Sequence, residues 1–312
     1  MNAIAICSTK DMPRIEWLSH RKKGIGGSDV GAIMGVNPYK TILDVYIDKV
    51  SENTEEKDQS EAAYWGTTLE DIVAKEFEKR TGKKVRRRNA ILRHPKYEFI
   101  FANIDREIVG EKAILECKTA NTFFAKQWED DEVPASYIYQ VQHYMAVTGY
   151  ERAYIAVLIG GNRFLWKVIE RDDELIEMMI SAEKDFWENY VLRHIPPVHK
   201  ITPTTDSLKR LYPFDYGNIA AIDDETEENI KLLLQIKESE KELKTQKEML
   251  ETKIKLAMKD TSVICNSQYK VTWKEQAVTR IDTTRLKEEL PDIADKYTVN
   301  GIQRKFLVKE LI

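Results

Sequence analysis

Apolar residues recur at three- and four-residue intervals over 13–20, 41–50, 64–81, 134–149 and 172–191. That spacing predicts helices, because it places the apolar side chains on one face. Gly82 is a stop signal for the third of them. A shorter helix, 29–34, follows the turn Gly24-Ile25-Gly26-Gly27-Ser28. Alternation with period two predicts strands over 85–93, 97–108 and 113–119. A further hairpin, 153–159 with 163–169, closes around Gly160-Gly161-Asn162. The order implies an α/β (α+β) domain over 1–195, with a central mixed sheet flanked by helices.

The pattern then changes. Prolines 196, 197, 203 and 213 mark 196–221 as a linker. Residues 222–259 become one long charged helix, in a small extension that runs over 222–312. Ile236, Leu243, Leu250 and Ala257 repeat every seven residues, but Glu240 and Lys247 break the second seam. A two-stranded coiled coil is therefore poorly specified, and packing on the chain's own domain is an equal alternative. A hairpin (262–273), a helix (283–290) and a strand (303–308) complete the expected tail.

Composition narrows the classes. A hydrophobic fraction of 42% and a charged fraction of 32% suit a globular protein with a wet surface. No apolar run approaches the roughly 20 residues that span a bilayer. The first ten residues lack a basic region ahead of their apolar patch, so no secretory signal is expected. Cys7, Cys117 and Cys265 are scattered and odd in number, which favours a reducing compartment over a disulfide or zinc framework. The net charge of −4 leaves nucleic-acid binding open, since phosphate contacts are made locally. Arg21-Lys22-Lys23 and the run Lys83 to Arg88 could follow a phosphate backbone, or could be solvated faces. The five histidines show no zinc-like spacing, and no P-loop follows Gly26-Gly27, so no ATP site is expected.

The chemistry concentrates in one hairpin. Gly110-Glu111 suits a two-residue turn. Pairing outwards sets Val109 against Lys112, Glu107 against Ile114, Asp105 against Glu116 and Asn103 against Lys118. The opposite face carries Ile100, Ala102, Ile104 and Ile108 against Ala113, Leu115 and Cys117, a core face on which the Cys117 thiol would be filler. Directly paired residues lie about 5 Å apart, and two carboxylates at that distance need something positive between them. Mg²⁺ is hard and carboxylate-seeking, and Lys118 could orient or deprotonate a water beside it. The plain alternative is an exposed strand face with a Glu116–Lys118 or Asp105–Lys118 ion pair.

At Asp105 and Glu116-Cys117-Lys118 the chain resembles the PD-(D/E)xK nuclease superfamily, with Ile104 in place of the usual proline. It is similar in particular to the YqaJ viral recombinase family, to which phage lambda exonuclease is related. The resemblance runs from about residue 14 to 190. It rests on Arg21-x6-Ser28-Asp29, Trp65-Gly66-x3-Glu70, Asp105…Glu116-x-Lys118, Tyr137-x2-Gln140-Val141-Gln142 and Ile169-Glu170-Arg171-Asp172, in that order. It implies a restriction-endonuclease-like core over 1–195 that is a Mg²⁺-dependent nuclease, degrading one strand of linear duplex DNA from the 5′ end and leaving a 3′ single strand. The alternatives are an endonuclease, a nuclease of other polarity, or a non-catalytic recombination scaffold.

The resemblance also distributes roles. Asp105, Glu116 and the Cys117 carbonyl would bind Mg²⁺, with Mn²⁺ able to substitute. Glu70 would touch a second ion through water; from the residues alone, Thr67 or Thr68 would cap the helix and leave Glu70 in its first turn, facing the dipole. Gln140 would hold the attacking water or Lys118, and Tyr137 shares its helix face. The plain alternative for both is polar edging of an amphipathic helix. Arg21 and Ser28, where Ser28 could otherwise be a plain N-cap, would receive a 5′-phosphate, with Tyr137 assigned to the DNA. The implied partners are DNA ends, two further copies in a trimeric ring, and a single-strand annealing protein of the RecT or Redβ type. The implied setting is the bacterial cytoplasm during phage or prophage recombination.

Overall fold

The computed structural model describes residues 3–51, 60–130, 132–198, 204–299 and 304–308. Its central feature is a five-stranded mixed sheet in the order β3-β6-β7-β8-β9. The strands are β3 (Val85–Arg87), β6 (Arg106–Ile108), β7 (Ala113–Ala120), β8 (Arg152–Ile159) and β9 (Arg163–Glu170). β7 and β8 run parallel and the other pairs antiparallel. A second sheet takes β1 (Ile4–Ser8), β4 (Ala90–Arg93), β5 (Ile100–Ala102) and β2 (Ile25–Gly26), in the order β1-β4-β5-β2.

Both faces of the central sheet are covered. α4 (Glu61–Thr81) packs Val73, Ala74 and Phe77 against Ala113 and Leu115. α5 (Ala135–Thr148) packs Val141 and Met145 on the side of Ile114. Around them lie α1 (Arg14–Lys22), α2 (Gly27–Ile33), α3 (Ile42–Val50) and α6 (Asp173–Phe186). Local chemistry explains the ends. Thr41 and Asp44 form a capping box on α3, and Asp172 caps α6 through the Leu175 N–H. Gly82 and Gly149 close α4 and α5 with positive φ of 72° and 71°. A buried His143 ties α5 to α6 and β5, with Nδ1 2.7 Å from Glu183 Oε1 and Nε2 2.7 Å from the Phe101 carbonyl oxygen. Burial works to lower its pKa, but the Glu183 carboxylate more than offsets this and raises it.

Several expectations need correction. Residues 85–93 are not one strand: the chain leaves the central sheet after Arg87 and enters the second at Ala90. Residues 97–108 divide likewise between β5 and β6. α4 starts at Glu61 under a Ser60 cap, so Glu70 sits in mid-helix and neither Thr67 nor Thr68 is the cap. Ser28 lies inside α2, whose N-cap is Gly26. β1, β2 and the 3-10 turn Thr122–Trp128 have no sequence counterpart.

The compact first unit covers Met1–Leu211 and the second Tyr212–Ile312. The stretch expected as linker contains α7 (Thr205–Leu211), docked on α3 through Ser207 Oγ to Asp44 Oδ1 and Arg210 to Asp44 and Asp48. In the second unit, α8 (Asp224–Met258), the hairpin of β10 (Val263–Cys265) and β11 (Lys270–Thr272), and α9 (Thr283–Glu289) match expectation. α10 (Pro291–Lys296) was not anticipated. Of the expected final strand, Gln303 lies outside the described residues, and 304–308 are irregular.

Candidate metal centre

The expected hairpin register is present. Glu107 pairs with Ile114 and Arg106 with Leu115. Continuing one step beyond the ladder brings Asp105 opposite Glu116, but Asp105 itself sits in the bend between β5 and β6. There its Oδ2 accepts the Cys117 N–H at 2.8 Å. β7 continues to Lys118, whose ammonium donates to Glu116 Oε1 at 2.6 Å and to Gln140 Oε1 at 3.0 Å. Gln140 Nε2 donates to the same Glu116 Oε1 at 2.8 Å. Glu116, Lys118 and Gln140 thus close a triangle between β7 and α5. The Lys118 ammonium also lies 4.7 Å from the centre of the Tyr137 ring.

Electrostatics mark where charge is missing. Burial, with the charges of Glu116 and Glu70, pushes the Asp105 carboxyl well above the usual carboxylate range. Burial works against the Lys118 ammonium, but Glu116 and Asp105 more than compensate and raise its pKa. The ammonium is thus held between two acids. Glu116 Oε2 is buried and has no hydrogen-bond partner among the described residues. A buried carboxylate oxygen left without a donor is costly. An Asp105 carboxyl and an orphaned Glu116 oxygen side by side are a hard, anionic donor pair, which fits a divalent cation with oxygen ligands. Among the described residues, no three His, Cys, Asp or Glu side chains converge on one point. Glu70 is turned instead to the buried Arg106, which also binds Asp71. The Cys117 thiol is half-buried on the α4 side of the sheet, where burial raises its pKa well above the usual thiol value.

The second candidate cluster lies at the start of α2. Arg21 Nη2 donates to Ser28 Oγ at 2.6 Å, and its guanidinium stacks on Trp17 at 4.8 Å. Asp29, 1% exposed, joins Lys49 at 2.7 Å, Lys40 at 3.0 Å and Arg21 at 3.6 Å, and accepts the Gly26 N–H. Burial opposes the Asp29 charge, but the three cations hold its carboxyl well below the usual range. Cations thus outnumber the carboxylate at a helix start, an arrangement suited to an anion. Tyr144 joins the two clusters. Its hydroxyl accepts from Gln140 Nε2 at 2.9 Å, and its ring lies so close to Gly27 that an added Cβ would come within 2.4 Å of it.

Asp105, Glu116, Lys118, Gln140 and Tyr137 are therefore brought together, Arg21 and Ser28 form a second cluster, and Glu70, whose charge reaches Asp105, is paired with Arg106. The run Lys83 to Arg88 is largely engaged with acids: Lys83 with Glu111, Arg86 and Arg88 with Glu107, and Arg87 with Asp71. Sequence reasoning missed Arg106 and Tyr144, and named Asp29 in a motif without giving it a role. Arg106 falls in the middle of the alternating apolar face, and Tyr144 stands four residues after Gln140, so both carried a usable signal. The partners of Asp29 come from α1, α3 and the loop before α3, and no local pattern shows that.

Residues 16–151 match the model of the YqaJ-like viral recombinase domain. The YqaJ protein of Bacillus subtilis (strain 168) is 49% identical over 314 residues, spanning 99% of this chain and 98% of its own. Among solved structures, an alkaline exonuclease from Laribacter hongkongensis superposes with a TM-score of 0.50 at 21% identity, over 59% of this chain and 96% of its own. The same exonuclease in complex with dAMP gives a TM-score of 0.50 at 22% identity, over 64% and 97%. At those identities the likeness concerns the fold alone.

Proposed function

The chain belongs to the YqaJ-like viral recombinase family, and from that membership and the geometry of its centre we propose that it is a Mg²⁺-dependent exonuclease acting on the ends of linear duplex DNA. The observation that carries the proposal is the orphaned Glu116 oxygen beside a half-buried Asp105, with Lys118 fixed between Glu116 and Gln140. The fold shared with an alkaline exonuclease supports it.

Asp105, Glu116 and the Cys117 carbonyl would hold Mg²⁺, or Mn²⁺ in its place. The ion, when bound, would supply an acidified water and charge stabilisation at the scissile phosphate. The remaining roles fall to the chain. Lys118, kept cationic by Glu116 and Asp105, positions the water and offsets charge developing on the phosphate. Gln140 fixes Lys118 and Glu116 relative to one another. The Arg21–Ser28 pair accepts a terminal 5′-phosphate, with Tyr137 beside the DNA, giving attack from the 5′ end and a 3′ single-strand product. Trimeric assembly around DNA, hand-over of the 3′ strand to a RecT- or Redβ-type annealing protein, and phage or prophage recombination in bacterial cytoplasm complete the proposal.

The test is digestion of linear duplexes labelled at the 5′ or the 3′ end, with Mg²⁺ or EDTA, for wild type, Glu116→Gln and Lys118→Ala. We expect Mg²⁺-dependent release of the 5′ label first, lost in both variants. Variants as active as wild type would refute the centre, early release of the 3′ label would refute the polarity, and equal cutting of circular plasmid would make the protein an endonuclease.

A further inference from the structure

The 35-residue helix α8 presents a row of apolar side chains to solvent. Ile236, Leu243, Leu250 and Ile254 are 48%, 63%, 59% and 43% exposed. Ile236, Leu243, Leu250 and Ala257 form one row at seven-residue spacing, and Leu233, Glu240, Lys247 and Ile254 form the row beside it, each three residues earlier. Together they have the two-row spacing of a coiled-coil seam, apolar towards both ends and interrupted by one acid and one base in the middle. Polar residues at seam positions cost stability but select the way helices pair. These two select strongly. In a parallel pair each seam residue faces its own copy, so Glu240 would meet Glu240 and Lys247 would meet Lys247, two repulsive layers.

We propose that α8 is a self-association surface, on which a second copy of this chain docks its own α8 in antiparallel orientation. In that orientation each row faces the other row of the partner. One register matches the rows end to end: Leu233 against the partner's Ala257, Ile236 against the partner's Ile254, Glu240 against the partner's Leu250 and Leu243 against the partner's Lys247. With a rise of about 1.5 Å per residue, Glu240 then lies about 4.5 Å along the axis from the partner's Lys247, and the two-fold axis repeats the pair. Outside the seam, Lys237 comes within about 3 Å along the axis of the partner's Glu251, again an attractive pair. A shift of one heptad either sets Ile236 against the partner's Lys247 or carries Leu233 and Ile236 past the end of the partner helix. Charge complementarity thus chooses the occupant, its orientation and its register. The proposal is independent of the nuclease reading, and it adds a second contact to whatever assembly the first unit makes.

Sedimentation of the full chain over a concentration series tests it. Wild type should reach twice the mass of Glu240→Lys and of Lys247→Glu. Each single variant gathers like charges at the middle of the seam and should weaken the association by about tenfold or more. Glu240→Lys combined with Lys247→Glu restores opposite charges across the antiparallel pair, and should return to the wild-type mass. Both side chains are exposed, so all variants should keep the wild-type fold, which circular dichroism checks. One common mass for wild type and the single variants at every concentration would overturn the proposal, as it would if α8 packs on its own chain. Single variants that come apart, with a double variant that stays apart, would overturn the antiparallel register.

Discussion

Replacing Gly27 by alanine puts a methyl group where the protein has a tyrosine. The added Cβ would sit 2.4 Å from Tyr144 Cε1 and 2.9 Å from Cζ, far inside contact distance. The ring is 5% exposed and its hydroxyl is tied to Gln140, so it cannot swing into solvent. Overpacking of this kind costs about 1–3 kcal/mol. The neighbouring Gly26 provides the control, since a Cβ there meets the Arg21 side chain no closer than 3.7 Å. Gly26→Ala should lose less than about 1 kcal/mol, in line with substitutions that create no clash. Urea denaturation of both variants measures the difference. The displaced ring also withdraws the hydroxyl on which Gln140 rests, so Gly27→Ala should lower the rate of duplex digestion by about tenfold or more, the effect of roughly 1.4 kcal/mol at the transition state. If Gly27→Ala equals Gly26→Ala in both stability and rate, the coupling of the two clusters through Tyr144 is wrong.

Three further outcomes follow from the same geometry. Lys118→Met should cut the digestion rate about 10²-fold or more, in keeping with loss of a positioned polar group at the reacting centre, while circular dichroism stays unchanged. Asp29 has a folded-state pKa depressed below its unfolded value, so its stabilisation is present above about pH 4 and is lost as pH falls through the lowered pKa. Asp29→Asn should therefore cost about 3–5 kcal/mol at pH 7, as for a broken buried pair, and the two stability curves should converge in strong acid; a constant gap would count against the ion network. A chain ending at Leu211 should unfold cooperatively and keep the digestion activity, whereas one ending at Val198 should be less stable by about 1–3 kcal/mol, having lost the α7 bonds to Asp44 and Asp48.

The legible part of the site was the part governed by local rules. A glycine turn and a period of two fix the register of β6 on β7, hence the meeting of Asp105 with Glu116 and the place of Lys118. The same alternation hid the break at 103–105, because Ile100, Ala102, Ile104 and Ile108 keep the apolar period through it. Asn103 and Asp105, half-buried, keep the polar side of the same period, so the alternation does not mark the bend, which is set by tertiary packing. The α4 cap was misplaced because Trp65-Gly66-Thr67-Thr68 looks like a helix start, while the good helix formers Glu61-Ala62-Ala63 ahead of it carry the helix back to Ser60. Glu70 was placed at the metal by resemblance; its Arg106 partner lies 36 residues away and is visible only in three dimensions.

The triangle of Glu116, Lys118 and Gln140 also has a temporal meaning. Its two halves lie on separate elements, and α5 is made after β7. A chain emerging from the ribosome exposes Glu116 and Lys118 before it possesses Gln140 or Tyr144. Until α5 docks, Lys118 and Glu116 have no second anchor, and Gly27 has no Tyr144 ring against it. A chain that stops before residue 140 lacks Gln140 and Tyr144 and is thus unable to close the triangle.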